Sequence, residues 1–389
     1  MKILFHHRIA SRDGQAVHMD ELRGALETLG HTVILVGPPL TGSLEFGGHS
    51  GAVAFLKHKI PAAIYELMEL GYNVIAVCRL WRAVRKHQAD AIYERYNLYA
   101  IAGVIVRRVL GVPLLLEVNA PIFEEREALD GLACSRMAAW SQRVAWRGAD
   151  MVLPVTNVIA DFVRRTGVGE ERIAMIPNGI DRDRFAALPG RSLAKRQLGL
   201  DDRLVLGFVG FVRSWNGVDR VLDAMAGLDT AMRVHLLLVG DGPARAALEE
   251  RAKTLGIADR LTVTGVVKRA AIPAHIAAFD IALLPDVTAY ASPLKLFEYM
   301  AAGLAIIAPD RRNIREVLTN GLDSILIDPD RSEGLAAAIA TLCRDEALRV
   351  RLGAAARATI DHRGLTWLNN ARRVSDLLAE LSQRTPPLS

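Results

Sequence analysis

Short apolar runs at 2–5, 32–36, 91–93, 113–117, 151–154 and 173–176 alternate with amphipathic stretches at 17–28, 99–110, 131–147 and 158–166. A strand covered on both faces reads as an unbroken apolar run, and the helix crossing over it needs only one apolar stripe. The pattern pauses at the polar stretch 181–202 and then begins again. Its second series of strands is expected at 204–209, 234–239, 261–264, 281–284, 305–308 and 324–327, with helices such as 218–226 and 244–255 between them. No short repeat or low-complexity segment is present, so the repetition is architectural. The expectation is an α/β chain of two doubly wound parallel sheets. The first domain takes 1–182, a linker 183–202, and the second domain 203–364. A helix at 365–382, with a Pro-Pro tail to 389, packs back towards the first domain. Ligands of such sheets bind beyond the strand C-termini, so two domains facing one another place the site in the cleft between them.

Composition removes several alternatives. At 389 residues with 51% apolar and 23% charged side chains, the chain is expected to bury a large core without disulfides or metals. Divided at Ile180, it carries 20 basic and 18 acidic residues before the cut and 28 and 25 after it. Neither half is the concentrated basic module that nucleic acid demands. Cys78, Cys134 and Cys343 are too scattered for a framework or a zinc site and read as reduced core thiols. No run reaches the ~18 apolar residues of a membrane span, and the start lacks a secretory hydrophobic region. A cytoplasmic protein is expected.

Three loops carry chemistry. Ser292-Pro-Leu-Lys-Leu-Phe-Glu-Tyr-Met-Ala-Ala-Gly303 follows a strand and its loop, with Ser292 expected as N-cap and Pro293 in the first turn. Free N–H groups at the start of this helix, around Ser292, Pro293 and Leu294, favour an anion. Lys295 adds a mobile positive charge, and Glu298, on the same helical face, is placed to accept from a vicinal diol. Diphosphate at the helix end and ribose one turn deeper describe a nucleoside diphosphate. The same spacing also fits a capped amphipathic helix with a solvated Lys–Glu pair. Gly207-Phe-Val-Gly-Phe-Val-Arg-Ser-Trp-Asn-Gly217 joins a strand to a helix, with Arg213 available to clamp phosphate or to face solvent. It lacks the dinucleotide GxGxxG spacing. Val239-Gly-Asp-Gly-Pro243 reads as a plain turn. Near the start, His6-His7-Arg-Ile-Ala-Ser-Arg-Asp-Gly-Gln15 links a strand to a helix, and Gly14 there permits close approach to a sugar.

With Ile176-Pro-Asn-Gly-Ile-Asp181, Val239-Gly-Asp-Gly-Pro-Ala-Arg245, Thr264-Gly-Val-Val-Lys268 and the 292–303 segment, nearly the whole chain resembles the retaining glycosyltransferases of family 4. The resemblance implies the GT-B fold, two Rossmann-like domains facing a cleft. It also implies transfer of a hexose from a UDP- or GDP-linked donor to a glycan or lipid-linked saccharide, without metal or other cofactor. On this basis Arg213 and Lys295 correspond to the catalytic cations that balance the leaving diphosphate. Glu298 corresponds to the ribose-binding second Glu of the Glu-x7-Glu motif, Gly14 to the glycine beside the donor, and Val267 to a main-chain contact with the base. Tyr290 replaces the first Glu of that motif, Asn216 replaces a Lys, and Asn119 stands where many members carry a His near the sugar. Asn119 hydrogen-bonds a hydroxyl but cannot shuttle protons. A non-catalytic nucleotide- or glycan-binding protein and a sugar-nucleotide epimerase are the competing readings.

Other features have plainer readings. Asp181-Arg-Asp183 resembles a metal-binding DxD but heads the linker, and the histidines show no metal-ligand spacing. Glu94 and Arg95 end a strand, where they line the acceptor side or form a structural salt bridge. Arg136, Trp140, Arg143 and Arg147 share one helical face, and Arg79, Arg82 and Lys86 another. Contact with an anionic membrane and a simple solvated face both fit these stripes.

Overall fold

The computed structural model describes residues 1–9, 14–38, 60–129 and 131–384. The chain divides into two compact units. One contains 1–177, 290–292 and 367 onward, and the other contains 178–289 and 293–366.

The first unit is built on a five-stranded parallel sheet of β1 (Lys2–His6), β2 (Thr32–Val36), β3 (Ala91–Arg95), β4 (Leu114–Val118) and β5 (Met151–Pro154), in the order β2-β1-β3-β4-β5. Since β-to-β crossovers are right-handed, the Gly14–Thr28 helix covers one face. The Ala62–His87, Ala102–Leu110 and Ser135–Gly148 helices, which all cross in the opposite direction, cover the other. A core of Leu4, Ile92, Leu116, Leu80, Val106 and Trp146 lies under these three helices. The Trp367–Arg384 helix packs beside Gly14–Thr28. Asn370 Nδ2 in that helix donates to the Pro177 carbonyl (2.6 Å), and Arg373 donates to that of Met175 (2.7 Å).

The second unit contains β6 (Leu204–Val209), β7 (Val234–Val239), β8 (Leu261–Val263), β9 (Ile281–Leu283), β10 (Ala305–Pro309) and β11 (Ile325–Ile327), in the order β11-β10-β9-β6-β7-β8. All six are parallel. This is the dinucleotide-fold order, and its direction reverses between β6 and β9. Separate apolar clusters fill the two sides, one around Phe279, Phe297 and Met300, the other around Phe208, Leu222 and Leu342.

Four expectations require correction. Residues 173–176 form no strand: Ile173 makes one bridge to Val152, and only the Ala174 and Ile176 amides reach β5 before Pro177 intervenes. The helix expected from residue 99 begins at Ala102, because Tyr99 is left-handed (φ 64°) and Asn73 holds its carbonyl (2.7 Å). Ser292 is not an N-cap. The cap is Pro293, in an extended conformation with no side-chain cap bond, and the helix runs Leu294–Ala301. Pro293 itself has an extended backbone (ψ 121°) instead of a helical one, so the helix starts one residue later, at Leu294. The cysteines are free thiols, but Cys78 is exposed instead of in the core, whereas Cys343 packs partly buried against the second unit's core.

Candidate functional site

In the second unit the functional side chains gather at the C-terminal edge of the sheet, on loops flanking the reversal between β6 and β9. Beyond β6, Gly210 adopts φ +124° and its carbonyl lies against Gly240; a Cβ on Gly240 would stand 2.1 Å from it. A Cβ on Gly242 would stand 2.2 Å from the Val212 carbonyl. Backbone bonds Gly210 N to Val239 O and Val212 N to Asp241 O, both 2.9 Å, join the two loops. The Val239–Pro243 segment is therefore a brace for the Arg213 loop rather than a plain turn, and only glycine permits so close an approach.

Arg213 is exposed, and its guanidinium carbon lies 5.2 Å from the Phe211 ring centre and 4.8 Å from that of Trp215. Two aromatic faces thus orient the cation without neutralising it. Asn216 closes the loop: its Oδ1 accepts from the Arg213 amide (2.8 Å), and its carbonyl accepts from Asp286 N (3.1 Å). Asp286 is in turn held by Arg311, with Nε to Oδ1 at 2.9 Å. An open cavity of about 260 Å³ borders this loop, lined by Arg213, Ser214, Val218, Asp219, Leu248 and Arg251 among others.

Lys295 lies in the first turn of the Leu294–Ala301 helix, which Leu296, Phe297, Tyr299 and Met300 bury against the sheet. The Tyr299 hydroxyl accepts from Val209 N (2.9 Å), fixing the helix to the end of β6. Lys295 Nζ then stands 3.7 Å from the Phe208 ring centre and 3.2 Å from where a Gly210 Cβ would be. Burial lowers its pKa to about 7, and the neighbouring charge of Glu298 offsets only part of that. Lys295 and the loop bearing Arg213 are therefore brought together, with half-buried Glu298 one turn beyond. Val267 lies beyond β8, partly buried against the core. Gly240 N donates to Thr264 Oγ1 (3.2 Å), which ties the Val267 loop to the glycine brace.

The first unit presents a different chemistry at the corresponding edge. Glu117 in β4 is buried and accepts from His18 Nε2 (2.7 Å), Tyr93 Oη (2.5 Å), Arg95 Nη1 (2.8 Å) and Asn119 Nδ2. Burial alone would raise its pKa, but His18, Arg95 and the Tyr93 hydroxyl overcome this and hold it down to about 2. The carboxylate is thus ionised, and Asn119 must turn its amide N–H towards it. Glu94 does not pair with its neighbour Arg95, because successive strand residues point to opposite faces. It is buried with His6 Nδ1 at 3.1 Å, under Gly103. Burial, and then the charge of His6, lower His7 to about 4. Gly14 opens its helix and is exposed; residues 10–13 of the preceding loop lie outside the described residues. Tyr290 packs against the first unit's core, its carbonyl accepting from Thr156 Oγ1 (3.0 Å), and Ser292 groups with the same unit.

Glu117 escaped the sequence reading, although a signal was present. One carboxylate inside the otherwise apolar run Leu-Leu-Leu-Glu-Val must have partners if the strand is buried. Asp181 caps the Arg182–Ala186 helix by accepting from Asp183 N (3.1 Å), so the DxD-like sequence is engaged locally. Among the described residues no cluster of three or more His, Cys, Asp or Glu could hold a metal, and no helix is long and apolar enough to cross a membrane.

Residues 13–179 match the model of the glycosyl transferase 4-like domain, and residues 203–345 match that of the glycosyl transferases group 1. The chain is 28% identical to the alpha-D-kanosaminyltransferase of Streptomyces kanamyceticus, over 64% of its own length and 66% of that relative's. It is 26% identical to a D-inositol 3-phosphate glycosyltransferase of Xylanimonas cellulosilytica, over 84% of this chain and 82% of the other. Among solved structures, Anabaena HepE in complex with UDP superposes with a TM-score of 0.74 at 19% identity, covering 98% of this chain and all of that one. HepE has also been solved with UDP-glucose. The fold is GT-B.

Proposed function

Because the chain belongs to the glycosyl transferases of group 1 (family 4), we propose that it moves a hexose, with retention, from a UDP- or GDP-linked donor to a glycan or lipid-linked saccharide. The observation that carries this reading is the seat of Lys295. It is a cation short of countercharge, set against the glycine turn that leads to Arg213, and it precedes Glu298 on one helix. A diphosphate supplies the missing charge. Gly14, Val267, Tyr290, Ser292, Pro293 and Leu294 complete the donor side, and Asn119, Glu94 and Arg95 belong to the acceptor or sugar side.

In the reaction the bond between the anomeric carbon and the phosphate oxygen breaks, and the electron pair stays with the diphosphate. Arg213 and Lys295 stabilise that growing charge. They supply the positive charge for which a divalent ion would otherwise be recruited, so the proposed reaction needs no metal. The acceptor oxygen attacks from the departing side and its proton passes to the leaving phosphate oxygen. This route asks no side chain to act as base, in keeping with Asn119 at the sugar-side position. The donor class places the reaction in the cytoplasm.

Thermal unfolding with UDP, GDP, ADP, TDP and NAD tests the proposal. A ligand at about 100 times its Kd adds about 2.7 kcal/mol. The expected result is a shift of several degrees with one nucleoside diphosphate, lost in Glu298→Ala. No shift with any diphosphate overturns the donor site. A shift without transfer across an acceptor panel favours a binding protein.

A further inference from the structure

The basic stripes read from the sequence belong to one surface. The Ala62–His87, Ala102–Leu110 and Ser135–Gly148 helices lie side by side on one face of the first sheet, sharing the core beneath them. Their outward positions include eight exposed basic residues: Arg79, Arg82, Arg85, Lys86, Arg108, Arg136, Arg143 and Arg147. The three helices contain two acids only, Glu66 and Glu69. Glu66 is buried, accepting from Tyr99 Oη (2.7 Å) and the Ala133 and Cys134 amides (both 2.9 Å), while Glu69 pairs with Arg126 (2.9 Å). Among the described residues none of the eight cations is paired with a carboxylate. The half's modest net charge conceals this segregation.

The same surface is apolar at one end. Ile64, Leu67, Met68 and Ile75 fall on one side of the long helix, in line with Arg79, Arg82 and Lys86 further along. All four are exposed, Leu67 at 55%, and Val74 beside them is 71% exposed. Ile105, Val109 and Trp140 continue the apolar character across the neighbouring helices. Burial of large side chains with cations at the rim is the signature of an interfacial surface. A nucleic-acid backbone would use the cations but has no need of the aliphatic end.

We propose that this three-helix face docks on an anionic lipid bilayer. The Ile64–Ile75 end enters the acyl boundary while the cations lie among the phosphate headgroups. The inner side of the same helix holds the loop after β3: Asn73 donates to the Tyr99 carbonyl (2.7 Å) and accepts from Ile101 N (2.8 Å). Docking therefore brings the bilayer to the edge that carries Arg95 and Asn119. The proposal is independent of the donor reading.

Co-sedimentation with vesicles of equal parts phosphatidylglycerol and phosphatidylcholine, and with pure phosphatidylcholine, tests it. The protein is expected on the anionic vesicles only, with binding that weakens as salt rises. Each cation near the surface contributes about fivefold in partition, so Arg82→Glu, Arg85→Glu and Lys86→Glu combined should lower it on the order of a hundredfold. Ile64→Ser, Leu67→Ser, Met68→Ser and Ile75→Ser combined should also weaken it while leaving the oligomeric mass unchanged. All these positions are exposed, and an unchanged unfolding midpoint checks the fold. The wild-type salt titration needs no variant. Absence from anionic vesicles, partition unaffected by either set, a mass change in the serine variant, or tighter binding to duplex DNA overturns the proposal.

Discussion

At the edge of the first sheet a buried carboxylate, Glu117, accepts from four donors, and its charge is already paired with Arg95. At the edge of the second, Lys295 sits on an aromatic face and against glycine backbone, and Arg213 stands between two aromatic rings in the open. One edge is satisfied before any ligand arrives, whereas the other holds a lysine whose charged form burial disfavours, beside an arginine open to solvent. The difference separates rigidity from affinity. A network complete in itself orients its members, here Asn119 and Arg95. A cation short of countercharge binds an anion most strongly because it gains most by doing so.

The largest expected effect tests the second edge. Lys295→Ala and Arg213→Ala should each lower transfer about 100- to 1,000-fold, measured with the nucleotide sugar that the unfolding panel selects, and leave the unfolding midpoint unchanged. Near-normal turnover in both would break the contrast.

Next comes the first edge. Glu117→Gln removes the charge that Arg95 pairs with, at a cost of about 3 kcal/mol in denaturant unfolding, without changing the nucleotide-induced shift. Because folding lowers this carboxyl from 4.5 to about 2, its stabilisation is present above the ordinary value and lost as the pH falls from about 4.5 towards 2. Acid unfolding of the Gln variant should lack that component. A weakened nucleotide response would show that the two edges are not separate.

The smallest effect sharpens the comparison most. With burial lowering Lys295 to about 7, the side chain is largely neutral at pH 8, and a bound diphosphate raises its pKa again. Diphosphate binding at pH 8 should therefore take up close to one proton, falling towards zero below pH 6. Calorimetry in buffers of different ionisation enthalpy reads this directly. Lys295→Ala should abolish the uptake. No uptake at pH 8 in the wild type would mean the ammonium is already charged.

Apolar periodicity made the sheets legible: 32–36, 151–154, 204–209 and 234–239 coincide with β2, β5, β6 and β7. Local chemistry was harder to read. Ser292 has the composition of a cap, but Pro293 is extended and takes the cap position itself. Arg213 was readable as a cation in a loop after a strand and Lys295 as one in a first helical turn, yet their contacts with Phe211, Trp215, Phe208 and Gly210 depend on packing. The glycines of Val239–Pro243 could not be distinguished from turn glycines until the facing carbonyls were in place. Glu117 was hidden because four partners from a helix, the neighbouring strand and a loop meet only in three dimensions. The two basic stripes were legible, but that they share one surface follows only from the packing of the three helices.

The Trp367–Arg384 helix has a consequence for the order in which the protein is made. Trp367 lies edge-on to the His18 ring, 4.9 Å between centres, and Asn370 reaches Pro177 across 193 positions of sequence. The whole of 178–289, and then 293–366, leaves the ribosome before that contact can form. The second unit is thus free to finish folding while the first, translated earlier, waits for its closing piece. A chain ending at residue 366 would carry the whole second unit and a first unit whose His18 lacks the ring beside it. Damage to late codons would then register at the earliest-made part of the molecule.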